Sequence, residues 1–254
     1  MKFALFSDIH ANLPALEACF KSIEQQRPDF VYCLGDLVGY NIWPNEVINE
    51  IRKRSIPTIA GNYDQGVGIA GDDCGCAYKT DHDKSNGEQS IAYTNSVVKP
   101  DERKYLRNLP SHIRLEYNLA GEKFNLLMVH GSPRKINEYL FVDREEKSFL
   151  RILEQADAHI MFFGHTHKPY HRIFKDDSNK YRHAINIGSV GKPKDGDPRG
   201  CYVLLTLDES FSLTNPESLK VAFIRFEYDT EKAAKAVEDS PLPNDFADML
   251  RKGY

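Results

Sequence analysis

No stretch of the chain approaches the roughly 20 consecutive apolar residues that a membrane-spanning helix needs, so no membrane partner is expected. The N-terminal apolar run is too short for a secretory core, and Ser7, Asp8 and His10 break it at once. Cysteine is sparse and odd in number, five residues, so it cannot pair completely within one chain and no disulfide framework is expected. Cytoplasmic residence follows as the expectation, with Cys19, Cys33 and Cys201 as buried thiols in apolar contexts. A basic stripe is missing too, and the formal net charge is -4, which disfavours long nucleic acid as a partner. A small phosphate-containing substrate still fits, because bound divalent ions make a site locally positive within an acidic protein. Repeats, low-complexity tracts and linker-like segments are absent. The 254 residues therefore read as one domain, 1–254. Homodimerisation is left open.

What is present is an alternation of short apolar runs with amphipathic stretches. Residues 2–7 read as a buried strand. Residues 13–26 read as a helix, with Leu13, Leu16, Phe20 and Ile23 at helical spacing and Pro14 near its start. A strand at 30–34, a helix at 44–54 and a short strand at 57–60 complete a βαβαβ pattern, which implies parallel strands. From 61 to about 84 periodicity is lost, and helical patterns resume near 88–99 and 101–108. We expect an inserted loop and helical cap over 63–99. A hairpin at 113–118 and 123–129, with an Ala-Gly-Glu turn, opens a second sheet. It continues through a helix at 144–155 and strands at 159–163, 170–174, 181–187, 201–207 and 220–228, before a helical tail at 229–254. The expected architecture is α/β: two mixed sheets flanked by helices in a four-layer αββα sandwich.

Polar clusters follow the strand-like runs: Asp8 and His10, Asp36, Asn62 and Asp64, His130, and His165 with His167. Strand carboxyl ends line the ligand crevice of open α/β sheets, so residues distant in sequence can meet there. Carboxylate, amide oxygen and imidazole together suit borderline divalent ions such as Mn, Fe or Zn. Asp64 aside, these seven donors exceed what one catalytic ion with an open position uses, whereas two ions sharing a carboxylate use all of them.

The ordered set Asp8-x-His10, Gly35-Asp36-x-x-Gly39, Gly61-Asn62-x-Asp64, His130-Gly131 and Gly164-His165-x-His167 resembles the calcineurin-like metallophosphoesterase superfamily, over residues 1 to about 207. The resemblance extends to its prokaryotic phosphodiesterase and diadenosine tetraphosphatase-like group. It implies that Asp8, His10, Asp36 and His167 hold one metal and that Asp36, Asn62, His130 and His165 hold the other, with Asp36 as the bridge. It further implies hydrolysis of a phosphodiester or nucleotide phosphoanhydride by a hydroxide between two transition-metal ions. Asp64 would orient its neighbours, or simply cap a turn. Alternatives are a phosphomonoesterase or protein phosphatase-like enzyme, and a low-activity metal-binding scaffold or regulatory protein.

The sequence departs from the family's pattern at Tyr63, where the family most often has a His that protonates the leaving group. A phenol stays protonated near neutrality and can donate a hydrogen bond, or its ring can pack over the site. Tyr63, Lys79 and Arg134 are the candidate substrate contacts, with His82, Ser132, Lys135, Lys192 and Arg199 as further polar groups nearby in sequence. The insertion Asp72-Asp73-Cys74-Gly75-Cys76 reads as a lid or wall, since one Cys-x-Cys is a weak zinc signal. The Gly188-Ser189-Val190-Gly191 turn resembles a family element that supports the His165 loop.

Overall fold

The computed structural model describes residues 1–119 and 121–254. The chain enters through β1 (Lys2–Phe6), α1 (Leu13–Gln26), β2 (Phe30–Cys33) and α2 (Pro44–Lys53). Three helices follow: α3 (Asn62–Gly68), α4 (Asp81–Val97) and α5 (Pro100–Arg107). The second sheet is built from β3 (His112–Leu119), β4 (Glu122–Val129), β5 (Ile160–Phe163), β6 (Tyr170–Lys175) and β7 (Tyr181–Asn186), with α6 (Glu146–Gln155) between β4 and β5. The chain then returns to the first sheet through β8 (Gly200–Thr206) and β9 (Lys220–Phe226), and ends in α7 (Thr230–Glu238) and α8 (Asp245–Lys252).

Strand order is β2-β1-β8-β9 in the first sheet and β3-β4-β5-β7-β6 in the second. Both sheets are mixed: β1 pairs parallel with β2 but antiparallel with β8, and β5 pairs parallel with β4 and β7 while β6 and β7 are antiparallel. Side chains alternate across a strand, so the run Phe3-Ala4-Leu5-Phe6 serves two cores. Phe3 and Leu5 meet Leu126, Phe162 and Ile185 between the sheets, whereas Ala4 and Phe6 face Leu16, Phe20, Ile48, Val237 and Leu250 of the helices. On the outer side of the second sheet, Met161 and Phe163 pack with Phe149, Ile152 and Leu153 of α6. Three apolar cores in this order make the expected four-layer αββα sandwich.

Three expectations are corrected. Residues 57–60 form no strand: only Thr58 bridges to Cys33, and Ala60 already donates to the Pro110 oxygen. The aperiodic stretch after Gly61 contains α3, whose helical pattern is hidden by Gly66 and Gly68, residues of low helix propensity. Gly68 is there for space, since a Cβ would come within 3.0 Å of the Arg107 backbone. Helix α4 also begins earlier than 88, at a Thr80 cap that accepts from the Asp83 amide. Of the expected Ala-Gly-Glu hairpin turn, Ala120 lies outside the described residues.

Candidate metal centre

Sequence-distant residues meet because β1, β2, β4 and β5 all end at the same edge of the sandwich. The loops leaving them interlock through the main chain: Asp8 N donates to Gly35 O (3.0 Å), His10 N to Asp36 O (2.9 Å) and Gly164 N to His130 O (2.9 Å). Asp8, His10, Asp36, His165 and His167 all have positive φ, from 49° to 64°. A left-handed backbone is uncommon for residues with a Cβ and is retained where surrounding structure imposes it, often at functional sites. The close approach also needs a residue without Cβ at 164, where a methyl group would fall 2.3 Å from Asp8 Oδ2.

Two buried groups result, Asp8 with His10 and His167, and Asp36 with His130 and His165, each offering donor atoms within 4.8 Å of one another. His167 Nε2 lies 3.2 Å from Asp8 Oδ1 and 3.2 Å from His10 Nε2. His130 Nε2 lies 3.1 Å from Asn62 Oδ1. Asp36 joins the groups: its Oδ2 is 3.5 Å from His10 Nε2 and 3.3 Å from His130 Nε2, while Oδ1 accepts from the Tyr63 amide (2.9 Å).

Three imidazoles have their Nδ1 placed against a main-chain oxygen: His10 on Val38 (2.9 Å), His130 on Leu34 (2.8 Å) and His167 on Lys192 (2.5 Å). A carbonyl can only accept, so each Nδ1 carries a proton and each Nε2 turns inward, as in metal-ligating histidines. Asp8 Oδ1 and His165 Nε2 are buried without a hydrogen-bond partner among the described residues. The donor set therefore fits divalent ions: lone pairs and carboxylate oxygens converge, and orphaned atoms face the same centre.

Burial pushes His10 and His165 down to about 3 and His167 well below its usual value. Burial also opposes a charge on His130, but the Asp36 carboxylate, with Asp8 behind it, overrides this and holds His130 above the imidazole range. Burial would raise Asp36, yet His130, His10 and His165 hold it below the carboxylate range. The centre thus has a potential that favours a cation.

Asp64 touches no other side chain of the set. Its two oxygens accept from Leu37 N (2.8 Å) and Gly61 N (2.9 Å), tying the Asp36 loop to the Asn62 loop. Sequence reasoning missed Asn41, which donates to His10 O (2.8 Å), and Asn186, which donates to Gly164 O (2.8 Å). Neither carries a local signal beyond lying near a strand end. The Gly188–Gly191 turn supports a different place from the one expected. Ser189 Oγ donates to Asp8 O (2.7 Å) and Gly191 N to the same oxygen (3.0 Å), while Asn186 steadies the loop before His165.

The candidate substrate contacts are scattered. Tyr63 is 1% exposed; its ring meets His10 edge-on (centroids 5.3 Å) and Tyr40 (4.8 Å), and its hydroxyl has no partner among the described residues. Lys79 lines a cavity together with Tyr40 and Tyr139. Arg134 is forked onto Glu138 and lines other concavities, so its charge is already engaged. Arg199 is likewise paired with Asp197, and His82 meets Asp245 at 3.1 Å. Cys74 and Cys76 bring their sulfurs to 2.8 Å, and Cys76 Sγ accepts from Asn62 Nδ2 (3.2 Å), which places the insertion against the centre.

The layered α/β fold thus carries, at its strand ends, two Asp/His groups that could hold metal ions. The model of the calcineurin-like phosphoesterase superfamily domain matches residues 1–210. The chain belongs to that superfamily. It is 32% identical to the uncharacterized protein MJ0912 of Methanocaldococcus jannaschii, over 98% of this chain and 97% of that one. It is similar in structure to a metallophosphoesterase from Sphaerobacter thermophilus, with a TM-score of 0.73 and 26% identity over 100% of this chain and 99% of the other. It also shares its fold with the hypothetical protein PH1004 of Pyrococcus horikoshii OT3, with a TM-score of 0.79 and 23% identity over 100% and 98% of the chains. Among the described residues no helix is long and apolar enough to cross a membrane.

Proposed function

We propose that the protein is a dinuclear-metal phosphoesterase that hydrolyses a phosphodiester or a nucleotide phosphoanhydride. The observation that carries this reading is the convergence of the Nε2 atoms of His10, His130 and His167 on the Asp8 and Asp36 carboxylates. Asp8, His10 and His167 would hold one ion, Asn62, His130 and His165 the other, and Asp36 would bridge. Two divalent ions of the Mn, Fe or Zn kind supply a nucleophile from water at neutral pH and neutralise phosphoryl charge.

The chain's own residues do the rest. Asp64 keeps the Asp36 and Asn62 loops in register, and the Nδ1 contacts hold each imidazole's plane. Burial raises the Tyr63 phenol well above its ordinary value, so it stays protonated and can donate to a leaving oxygen. Five unpaired cysteines support a reducing, cytoplasmic setting.

The test is a steady-state panel of bis-aryl phosphate, aryl phosphate and diadenosine tetraphosphate with the metal-repleted protein. Turnover that depends on the added metal is expected, with the diester or the anhydride preferred. Two bound ions with no turnover of any member would favour a metal-binding scaffold instead.

A further inference from the structure

Tyr40 packs edge-on against His10 (centroids 4.8 Å), and Tyr139 lies over His165 (4.1 Å). The same two rings line a cavity of about 300 Å³. Its other walls come from segments far apart in sequence: residues 76–79 and the start of α4, the loop after β7, and α8 with the C-terminal Tyr254. The cavity therefore adjoins the candidate metal centre without being part of it.

Its chemistry is distinctive. Lys79, Lys192 and Lys194 all line it, against one side-chain carboxylate, Asp83. Lys192 is 3% exposed, and its Nζ meets Met249 Sδ (3.3 Å) and the face of Tyr40 (4.6 Å). Neither contact neutralises an ammonium. The amine is buried against a thioether and an aromatic face, neither of them anionic, and an anion entering the cavity would supply the missing partner. The Tyr78, Tyr139 and Tyr40 rings add apolar faces suited to a planar group.

We propose that this cavity is a second phosphate subsite, which selects nucleoside polyphosphates by holding a phosphate remote from the scissile one, with the base against the tyrosine faces. This rests on the phosphoesterase reading above and extends it to substrate class. Lys192 and Lys194 contact the remote phosphate, and Lys79 closes over it from the insertion.

The test compares wild type with Lys192→Met and Lys194→Met. Lys192→Met should fold with an unchanged or higher Tm, because a methionine replaces a buried amine that packs against Met249 and the Tyr40 ring. In both variants kcat/KM for diadenosine tetraphosphate should fall about tenfold or more relative to that for bis-aryl phosphate, mainly through KM. Calorimetric binding of α,β-methylene adenosine diphosphate to the metal-free protein should weaken by a similar factor. An unchanged substrate ratio together with undiminished analogue binding overturns the subsite. Pyrophosphate binding as tightly as the analogue overturns the role of the tyrosine faces. If wild type turns over neither substrate, the phosphoesterase reading fails, and the binding measurement alone still decides the subsite.

Discussion

His10 and His167 bring their Nε2 atoms to 3.2 Å, although each ring has its Nδ1 proton committed to a main-chain oxygen. Two lone pairs at that distance repel unless a cation lies between them. Removing metal with a chelator should therefore lower stability. One site saturated at a hundredfold excess over Kd contributes about 2.7 kcal/mol, so Tm should fall by several degrees on chelation and recover on repletion. Calorimetry of chelated and repleted samples checks this, and identical Tm values would remove the metal from the fold's support.

Asp36 faces both groups, and its replacement should damage both. Metal analysis of the repleted wild type should give about two equivalents per chain. Asp36→Asn should retain well under one, whereas His10→Ala should keep the ion held by Asn62, His130 and His165. Equal loss from the two variants would contradict the division of ligands.

Asp64 serves two backbone donors from different loops, Leu37 N and Gly61 N. An amide has one oxygen and an NH2 group, so Asp64→Asn must leave one buried N–H facing another donor. Stability should fall by about 1–3 kcal/mol in a denaturant titration. Activity should fall with it, through displacement of Asp36 and Asn62, while unaltered activity at reduced stability would confine Asp64 to folding.

Tyr63→Phe separates two uses of that residue. The hydroxyl has no partner, so removing it should leave Tm unchanged or slightly raised. If it donates to the leaving oxygen, alkyl leaving groups should slow about tenfold more than activated aryl ones. Identical leaving-group slopes for the two proteins would leave only the ring's packing against His10.

His171 and His183 form a pair outside the centre, with Nε2 and Nδ1 at 2.9 Å, and burial lowers them to about 4 and about 3. Histidines depressed in the folded state stay neutral while the unfolded chain takes up protons below its own pKa near 6.5. Stability from this source is complete above about pH 6.5 and declines as pH falls toward 4. Replacing His183 with Gln should flatten the stability profile across that window, and an unchanged slope would show that the pair does not couple to folding.

The division between sequence and fold can be seen in particular residues. The strand runs and their polar ends were legible from Asp8, Asp36, His130 and His165, because alternation within a strand and the chemistry at its end are both local. Helix α3 was not, because Gly66 and Gly68 erase the helical signal for the sake of close packing, Gly66 against Asp73 and Gly68 against α5. The target of the Gly188–Gly191 turn was equally hidden: Ser189 reaches the Asp8 carbonyl across 181 positions of chain.

Lys192 marks the boundary most sharply. By sequence it is one more polar group in a loop, and a lysine is ordinarily a solvated surface charge. Only the fold buries it, by bringing α8 with Met249 and the ring of Tyr40 over a residue that neither adjoins. The sequence alone determined which donors stand at the strand ends, since residue type and position within a strand are written locally. Tertiary packing alone decided which donor atoms converge, which amine is stripped of water and which cavity borders the centre, because desolvation depends on atoms supplied from everywhere else in the chain.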